Sequence, residues 1–585
     1  MKMIKYFIIS ALSLMLYACN DEWLETRPLS IYSPESIYVD AEGFEGVLTT
    51  LRKGLRYEYV EGGVFAFKWE YICSDLAVHG VKAQTHNLDA ELLPTKVSNN
   101  DVHVYWNNAY AQIRNANVII SRVDNADLAT EDRNRILAEA YFHRAFWYYR
   151  LVHQYGDVPF LSKEYTAPKI DFYTHSRKTI LNKIQTDMEF SVQWLPEIVD
   201  PGKVNRAAGN HLLTKIYLAN SNFEDAIEAA GAVIEDGIHS LMNDRFGKYA
   251  GDNLYNVIWD LHQKENKSIS ENKEGLLLTQ DKYGYPGSET PGSRTMRFYG
   301  PGWHGAGIKD PDGKRGMTDQ RGEPQVVKLG RGVAYVRSSN YHSYEIWTDP
   351  TDLRHDTVVN WFPLSELVYN NPASNYYGQV VDKQYTIPID TFQSMFPFPY
   401  YKIYVEDEQN PDQPNGGHTD WYVFRLAETY LLRAEAYFWR NNLQAAADDI
   451  NQVRLRALAS PISSGEVTLE YILDERAREL YAEETRKTEI TRMAFIMADN
   501  NLNGYSLNNF SDKNFWHDRV MDKNIFYQTN YVYGNNPYKI SPFHVLWPVP
   551  ADVIDSNQGG RINQNKGYIG YESNVSPLGE IKESQ

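Results

Sequence analysis

The 585-residue chain carries 76 acidic against 58 basic side chains, a formal charge of −18, which argues against nucleic acid or anionic lipid as partners, since both are held by an excess of lysine and arginine. Aromatic residues make up 14% of it, with 43 tyrosines and 13 tryptophans. That is heavy for a chain of mean hydropathy −0.52, so many rings are expected at partly exposed positions, where an apolar face and a polar edge are both useful.

Lys2 and Lys5 open the chain, an apolar run follows from Tyr6 to Leu16, and Leu16-Tyr17-Ala18-Cys19 closes it. This is the layout of a secretory signal peptide over 1–18, and the run is shorter than the about 20 apolar residues of a membrane span. The closing tetrapeptide is lipobox-like, which makes Cys19 the expected lipidation site and 19–29 its tether. Several acyl chains, at about 0.8 kcal/mol per buried methylene, anchor stably where one binds reversibly. Cys73, the only other cysteine, is then left without a disulfide partner and is expected as a small buried apolar side chain. No later stretch is long and apolar enough to cross a bilayer.

Residues 30–264 read as a helical block. Trp106, Tyr110, Ile113 and Asn117 share one helical face, and Phe142, Ala145, Phe146, Tyr149 and Val152 another. Ile180, Ile184 and Met188 lie on a further element closed by Trp194-Leu195-Pro196, followed by Ala208, Leu212, Ile216 and Leu218 on the next, and by a helix from Phe223 to Ile234 stopped at Gly237. Residues 265–417 lose this periodicity and fill with Gly, Pro, Tyr, Trp and Asp, with Gln325–Leu329 and Val333–Arg337 predicted as short strands. So long a stretch is unlikely as plain loop and is read as an excursion packed on the helices, where binding surfaces tend to lie.

Residues 418–585 return to helix. Phe424, Ala427, Leu431, Ala434 and Phe438 form one stripe, Ala446, Ile450, Val453 and Ala457 its antiparallel neighbour across the short Asn441-Asn442 link. A charge-dense helix from about Tyr471 to Met493 is predicted to be a solvated face, with Asp474–Arg478 and Glu483–Lys487 as exposed pairs of about 0.3 to 0.5 kcal/mol each. The fold class is therefore mainly α: tetratricopeptide-like helix pairs, without a strict repeat consensus, carrying a long irregular loop and short-strand excursion.

The excursion contains the candidate ligand residues. Tyr283, Tyr285, Arg297, Tyr299, Trp303 and His304 lie in a Gly/Pro-rich stretch, and Tyr341 and Trp361 follow. Exposed rings beside polar side chains suit sugar, whose rings have apolar C–H faces and hydroxyl edges. Gly300-Pro301-Gly302-Trp303-His304-Gly305 is the leading candidate, its glycines and proline expected to hold the indole at a loop tip. Asp407, Asp412 and Asp420 with Gly416-Gly417 could ligate calcium but fit no EF-hand spacing, and a solvated acidic loop is the simpler reading. No cofactor is expected. The chain has no His-Glu-x-x-His, Cys/His cluster, Gly-x-Ser-x-Gly elbow or Walker loop, and no catalytic or metal-binding residue is assigned.

Several strings together resemble the SusD/RagB family of surface lipoproteins. In the first block they are Trp106, Tyr110, Ile113, Asn115-Ala116-Asn117, Arg144-Ala145 and Tyr155-Gly156-Asp157-Val158-Pro159-Phe160. In the last they are Arg425-Leu426-Ala427-Glu428, Ala434-Glu435-Ala436, Ile450-Asn451-Gln452-Val453-Arg454, Glu475-Arg476, Glu479-Leu480, and Leu546-Trp547-Pro548-Val549-Pro550 with Gln564-Asn565-Lys566-Gly567-Tyr568, where Lys566 replaces an expected proline. The resemblance implies one SusD-like domain that captures an oligosaccharide or polysaccharide at the cell surface without covalent chemistry and delivers it to a TonB-dependent, SusC-like transporter in the outer membrane. It also draws attention to Trp69, Tyr71 and Asp75, in a region that often contributes to the family's ligand face. Asn20-Asp21-Glu22 after Cys19 resembles a surface-export signal. Two other readings stay open at this point: a glycoside hydrolase, since carboxylates are plentiful, and a helical-repeat adaptor for other proteins.

Overall fold

The computed structural model describes residues 37–59, 67–80, 86–95, 101–288, 292–305, 308–382, 395–533 and 536–582. Segments 1–18 and 19–29, Cys19 among them, lie outside the described residues. Helices α1 (Ala41–Gly54), α2 (Asp101–Arg122), α3 (Thr130–Gln154), α4 (Arg177–Trp194), α5 (Arg206–Ala219) and α6 (Phe223–Ile234) precede the irregular middle. Helices α7 (Leu426–Trp439), α8 (Leu443–Arg456), α9 (Leu469–Leu480), α10 (Arg486–Asp499) and α11 (Phe515–Lys523) follow it. From α2 to α6 each helix packs on the next, α7 seats directly on α6, and α8 on α7. The stack is therefore continuous in space although the whole middle separates α6 from α7 in sequence.

The continuity has a local cause. The α5–α6 and α7–α8 turns share one conformation, with Ser221 (φ 62°) and Asn441 (φ 58°) in the left-handed region. Asn222 N–H donates to the Tyr217 carbonyl at 2.8 Å, and Asn442 N–H to that of Tyr437 at 2.9 Å. Both turns are the wide closing bond that ends a helix through one left-handed residue. Each is followed by an apolar residue at the first helical position, Phe223 or Leu443, and by Ala226 or Ala446 three residues later. Ala226 and Ala436 are fully buried with Leu218 and Leu432 where α5, α6 and α7 meet. Small side chains there let the two pairs approach closely. The repeat survives as turn geometry and alanine placement where its consensus has faded.

Tyr155-Gly156-Asp157 ends α3 as expected, with Gly156 at φ 70°. Short antiparallel ribbons tie the middle to the two helical blocks, β1 (Ala77–His79) with β5 (Val336–Ser338) and β4 (Gly275–Thr279) with β6 (Trp421–Arg425), while β2 (Val158–Pro159) with β3 (Thr174–His175) closes a ribbon within the first block. The predicted strand over Gln325–Leu329 is instead the helix Pro324–Leu329. Glu323 caps it by accepting from Val326 N–H at 3.1 Å, Pro324 occupies the first position, and Gly330 at φ 66° stops it. These start and stop residues outweigh the strand preference of two valines. The second predicted strand begins only at Val336, because Ala334 is left-handed at φ 56°. Among the described residues no helix is long and apolar enough to cross a membrane.

The largest correction concerns the charge-dense segment. It is two helices, α9 and α10, and it lies in the interior: Glu475, Arg476, Arg486, Glu489 and Arg492 are all 0% exposed. The expected pairs do not form. Asp474 is held by Arg519 at 2.8 Å, Arg478 by Glu475 at 2.9 Å, Glu483 by Lys402 at 2.5 Å and by Arg425 at 2.7 Å, and Lys487 donates to the Val545 carbonyl at 2.6 Å. Arg425 also reaches Glu274 at 2.5 Å and Glu479 at 2.6 Å, fastening the end of β6 to α9. Every one of these charges has an opposite charge or a carbonyl against it, the condition for burying it at all.

Acid is expected to undo this interior. Burial alone would raise Glu475, but Arg354, Arg478 and Arg454 outweigh it and bring its carboxyl down to about 2. Glu479 and Glu489 are likewise held below the usual range by adjacent cations despite burial. A carboxylate with a lowered folded-state value contributes stability that is present above its ordinary value of 4.5 and is lost as pH falls through the folded value. Glu58, which burial raises, opposes the trend but stands against several lowered groups. The unfolding temperature should therefore drop steeply from about pH 4.5 towards pH 2. A flat profile there would contradict this account of the network.

Candidate functional site

Ranges to either side of the start of the excursion build one aromatic cleft of about 510 Å³, within the size range of ligand sites. The loop 246–256 contributes Tyr249 and Tyr255, the short helix Val257–His262 contributes Trp259, the turn 357–362 contributes Val358 and Trp361, and the Pro-flanked segment around the helix Tyr400–Ile403 contributes Tyr400 and Tyr404. Four rings run near-parallel in a row. Tyr255 and Trp259 lie 4.6 Å apart at 18°, Trp259 and Tyr400 6.2 Å apart at 21°, and Tyr400 and Tyr404 4.8 Å apart at 19°. All four are half-buried, so each is held by its neighbours and still presents part of its surface to the cleft. Leu254 and Val358, 58% and 75% exposed, complete an apolar rim.

Backbone anchoring holds the row in place. Arg245 donates to the carbonyls of Tyr249, of Asp252 at 2.7 Å and of Tyr255 at 2.6 Å, and pairs with the buried Asp260 at 2.5 Å. One guanidinium thus ties the ring-bearing loop to the helix that carries Trp259. Asn256 caps that helix, accepting from Trp259 N–H at 3.0 Å. The tyrosine hydroxyls are also fixed, Tyr400 donating to the Lys328 carbonyl at 2.9 Å and Tyr404 to that of Val327 at 3.0 Å. Burial, reinforced by Glu406 and Asp407, pushes the Tyr404 hydroxyl up to about 12, so it remains a donor. Among the described residues the indole N–H groups of Trp259 and Trp361, on residues lining the cleft, have no acceptor, and both nitrogens are closed off from solvent.

Of the residues singled out from the sequence, Trp361 lines this cleft, backed by His355 at 4.8 Å and Trp347 at 5.3 Å. Tyr283 and Tyr285 are exposed, 51% and 68%, on a neighbouring turn. Tyr283 rests on His418, whose partner Glu408 pairs with the cleft residue Lys264 at 2.9 Å, so this turn borders the cleft.

The others sit elsewhere. Trp303 is 1% exposed and donates its indole N–H to the Gly330 carbonyl at 3.1 Å. Its flanking glycines do not make a loop tip: a Cβ on Gly300 would meet the Met296 carbonyl at 2.4 Å, and one on Gly332 the Pro301 carbonyl at 2.5 Å. They permit two backbone segments to lie against each other, which drives the indole inward. His304 donates to the Gly332 carbonyl at 2.9 Å and Arg297 to that of Arg331 at 2.9 Å, both staples of the same packing.

Tyr299 and Tyr71 are core rings, 5.6 Å apart and edge-on, with the Tyr71 hydroxyl donating to the Glu484 carbonyl at 2.9 Å. Trp69 is buried on the helical turn Lys68–Ile72 and not on an extended segment. Asp75, at 0% exposure, is clamped between Arg486 at 2.6 Å and Arg519 at 2.7 Å, and Tyr341 donates to Asp474. Cys73 is buried and free, its thiol pushed up to about 12 by burial.

In the acidic loop Asp412 is exposed, as a solvated loop would have it, whereas Asp407 and Asp420 are not. Asp407 is buried and accepts backbone N–H bonds from Gln409, Asn410 and Asn415, while the buried Asp420 accepts from Asp281 N–H at 3.0 Å. These two carboxylates organise the loop, and among the described residues no group of three or more metal-ligating side chains comes together.

A second, wider cleft of about 790 Å³ lies between residues 160–175 and the closing segment at Leu578–Lys582. There the Lys169 ammonium covers both Tyr165 and Phe172, at 5.9 and 5.4 Å from their centres. Of its rings, these two are therefore covered, while Tyr173 stands 45% exposed.

The missed residues, Tyr249, Tyr255, Trp259, Tyr400 and Tyr404, did leave a trace. Tyr249 and Tyr255 lie in a Gly/Asp/Asn-rich turn just before the boundary at 265, and Phe396-Pro397-Phe398-Pro399-Tyr400 is aromatic and Pro-flanked. Nothing local says that the two stretches meet.

A continuous helix-pair scaffold whose irregular insertion builds an aromatic, backbone-anchored cleft is a scaffold of the binding type. The chain belongs to the SusD family, whose model matches residues 264–568; a second model, described as starch-binding associating with outer membrane, matches residues 37–218. A SusD-like protein of Formosa agariphila is 23% identical over 93% of this chain and 95% of its own length. The solved structure of surface glycan-binding protein A from Bacteroides thetaiotaomicron in complex with laminarihexaose shares the fold, with a TM-score of 0.61 at 17% identity over 90% of this chain and 100% of that one. A laminarin-binding SusD-like protein does so with a TM-score of 0.59 at 18% identity, over 90% and 99%.

Proposed function

We propose that this chain is a non-catalytic glycan-capture protein of the bacterial outer membrane, lipidated at Cys19, displayed at the cell surface, and serving a TonB-dependent, SusC-like transporter. The observation that carries the binding role is the row of half-buried rings Tyr255, Trp259, Tyr400 and Tyr404 along the cleft. Rings in a row offer platforms for successive sugar C–H faces. The laminarin ligands named for two structural relatives support the same class of ligand. Against hydrolysis, the cleft carboxylates Glu265, Glu366 and Glu406 are each engaged by a lysine, Lys248, Lys328 and Lys264, at 2.5 to 3.1 Å. A general acid wants an apolar pocket instead.

Affinity electrophoresis through gels containing single polysaccharides tests the proposal. Retardation on at least one of them without release of new reducing ends is the expected result; oligosaccharide release would replace capture by hydrolysis. The anchor of the ring-bearing loop supplies a second test. Arg245→Ala frees three backbone carbonyls and should weaken retention roughly tenfold by loosening a preorganised surface, with a circular dichroism spectrum like that of the parent. Unchanged retention would remove Arg245 from the account.

A further inference from the structure

Every charged side chain of the described residues lining the cleft is already matched within the protein. Lys264 is held between Glu406 at 3.0 Å and Glu408 at 2.9 Å, Lys328 is paired with Glu366 at 3.1 Å, and Glu265 with Lys248 at 2.5 Å. Among the described residues the lining has two lysines against three glutamates and no arginine. Its one histidine, His262, is pushed well below its usual value by burial and then by Lys402, Arg425, Lys267 and Arg456, so it adds no positive charge. The remaining wall is ring, aliphatic rim and hydroxyl or amide.

Carboxylates and sulfates on sugars are recognised by free cations, best by the two-pronged guanidinium of arginine. Such a group entering this cleft would have to take a lysine from its carboxylate, and would do so against an acidic wall on a chain of formal charge −18. Leaving a charge without a partner is how a site rejects the wrong ligand.

We infer that the cleft selects neutral glycans and rejects uronate- or sulfate-bearing ones. This rests on the reading of the cleft as a glycan site.

The experiment uses the full mature chain in affinity gels. Laminarin, xyloglucan and galactomannan serve as neutral probes, alginate, polygalacturonate and chondroitin sulfate as acidic ones, with hydroxyethyl- and carboxymethylcellulose as a matched pair, at low and at physiological salt. Retention on at least one neutral polymer, with every acidic polymer weaker by about tenfold or more, is expected. Equal or stronger retention on an acidic polymer, fading with salt, would overturn the inference while leaving the glycan role intact. Retention on none of the panel would overturn the glycan role itself. Glu366→Lys releases Lys328 and adds a cation at the exposed rim, and should raise the ratio of acidic to neutral retention severalfold at low salt. An unchanged ratio would show that charge in the cleft does not set the preference.

Discussion

Trp259→Ala is expected to abolish measurable glycan retention, weakening binding by about 2 kcal/mol or more, which is over tenfold in Kd. Trp259 stands at the middle of the ring row, between Tyr255 at 4.6 Å and Tyr400 at 6.2 Å. Removing it breaks the row in two and takes away the largest platform. It also takes the packing surface from both neighbours, so the loss should exceed that of an end ring such as Tyr404. Because Trp259 is half-buried at the wall of the cleft and not in the main core, the unfolding midpoint should fall only modestly. Trp303→Ala makes the contrast: it opens a cavity in the core and leaves the Gly330 carbonyl without its donor, so stability should fall by about 3 to 5 kcal/mol. Wild-type retention by Trp259→Ala would show that glycan binds elsewhere, the wider cleft at residues 160–175 being the place to look.

Arg425→Met should destabilise the protein by about 3 to 5 kcal/mol, read as a shift of the urea midpoint. The side chain contacts Glu274, Glu479 and Glu483 at 2.5 to 2.7 Å from a position 1% exposed. Methionine fills most of the space, so the cost comes from carboxylates left short of positive charge in an interior where they cannot be rehydrated. Arg456 still serves Glu274 and Glu479, and Lys402 still serves Glu483, which is why the loss is bounded. Adding Glu483→Gln removes one stranded charge and should recover part of it, a coupling that additive effects would not produce. If Arg425→Met were neutral, the network would be incidental to stability, and the position of β6 against α9 would need another cause.

Much of the scaffold was legible in the residues because helix formation is local. The stripes on α2, α3, α7 and α8, the turn at Asn441-Asn442 and the stop at Gly156 follow from 3.6-residue periodicity and from single residues that tolerate left-handed backbone. Cys73 was legible for a different reason: with Cys19 assigned to lipid it has no disulfide partner, and a free thiol packs as a small apolar side chain. The site was much less so. Trp361 was reached, and Tyr283 and Tyr285 are exposed as expected, but Trp303 and Tyr71 turned inward and Trp259, Tyr400 and Tyr404 were passed over.

A ring's environment depends on what covers it, and the cover comes from distant sequence: Trp259 meets Tyr400 across the whole excursion, and Gly300 meets Gly332 backbone to backbone. The charged helices α9 and α10 make the same point. Alternating Glu and Arg suits a solvated face and an internal ion network equally well, and only the arrival of Arg354, Arg425 and Lys402 from other segments places them inside. By itself the sequence determined the helices, their turns and the presence of an aromatic-rich excursion, all of which depend on neighbours in the chain. Which rings face the cleft, which charges are buried and which glycines mark close packing were decided by the tertiary structure, because each is a property of two surfaces and the chain carries only one of them at a time.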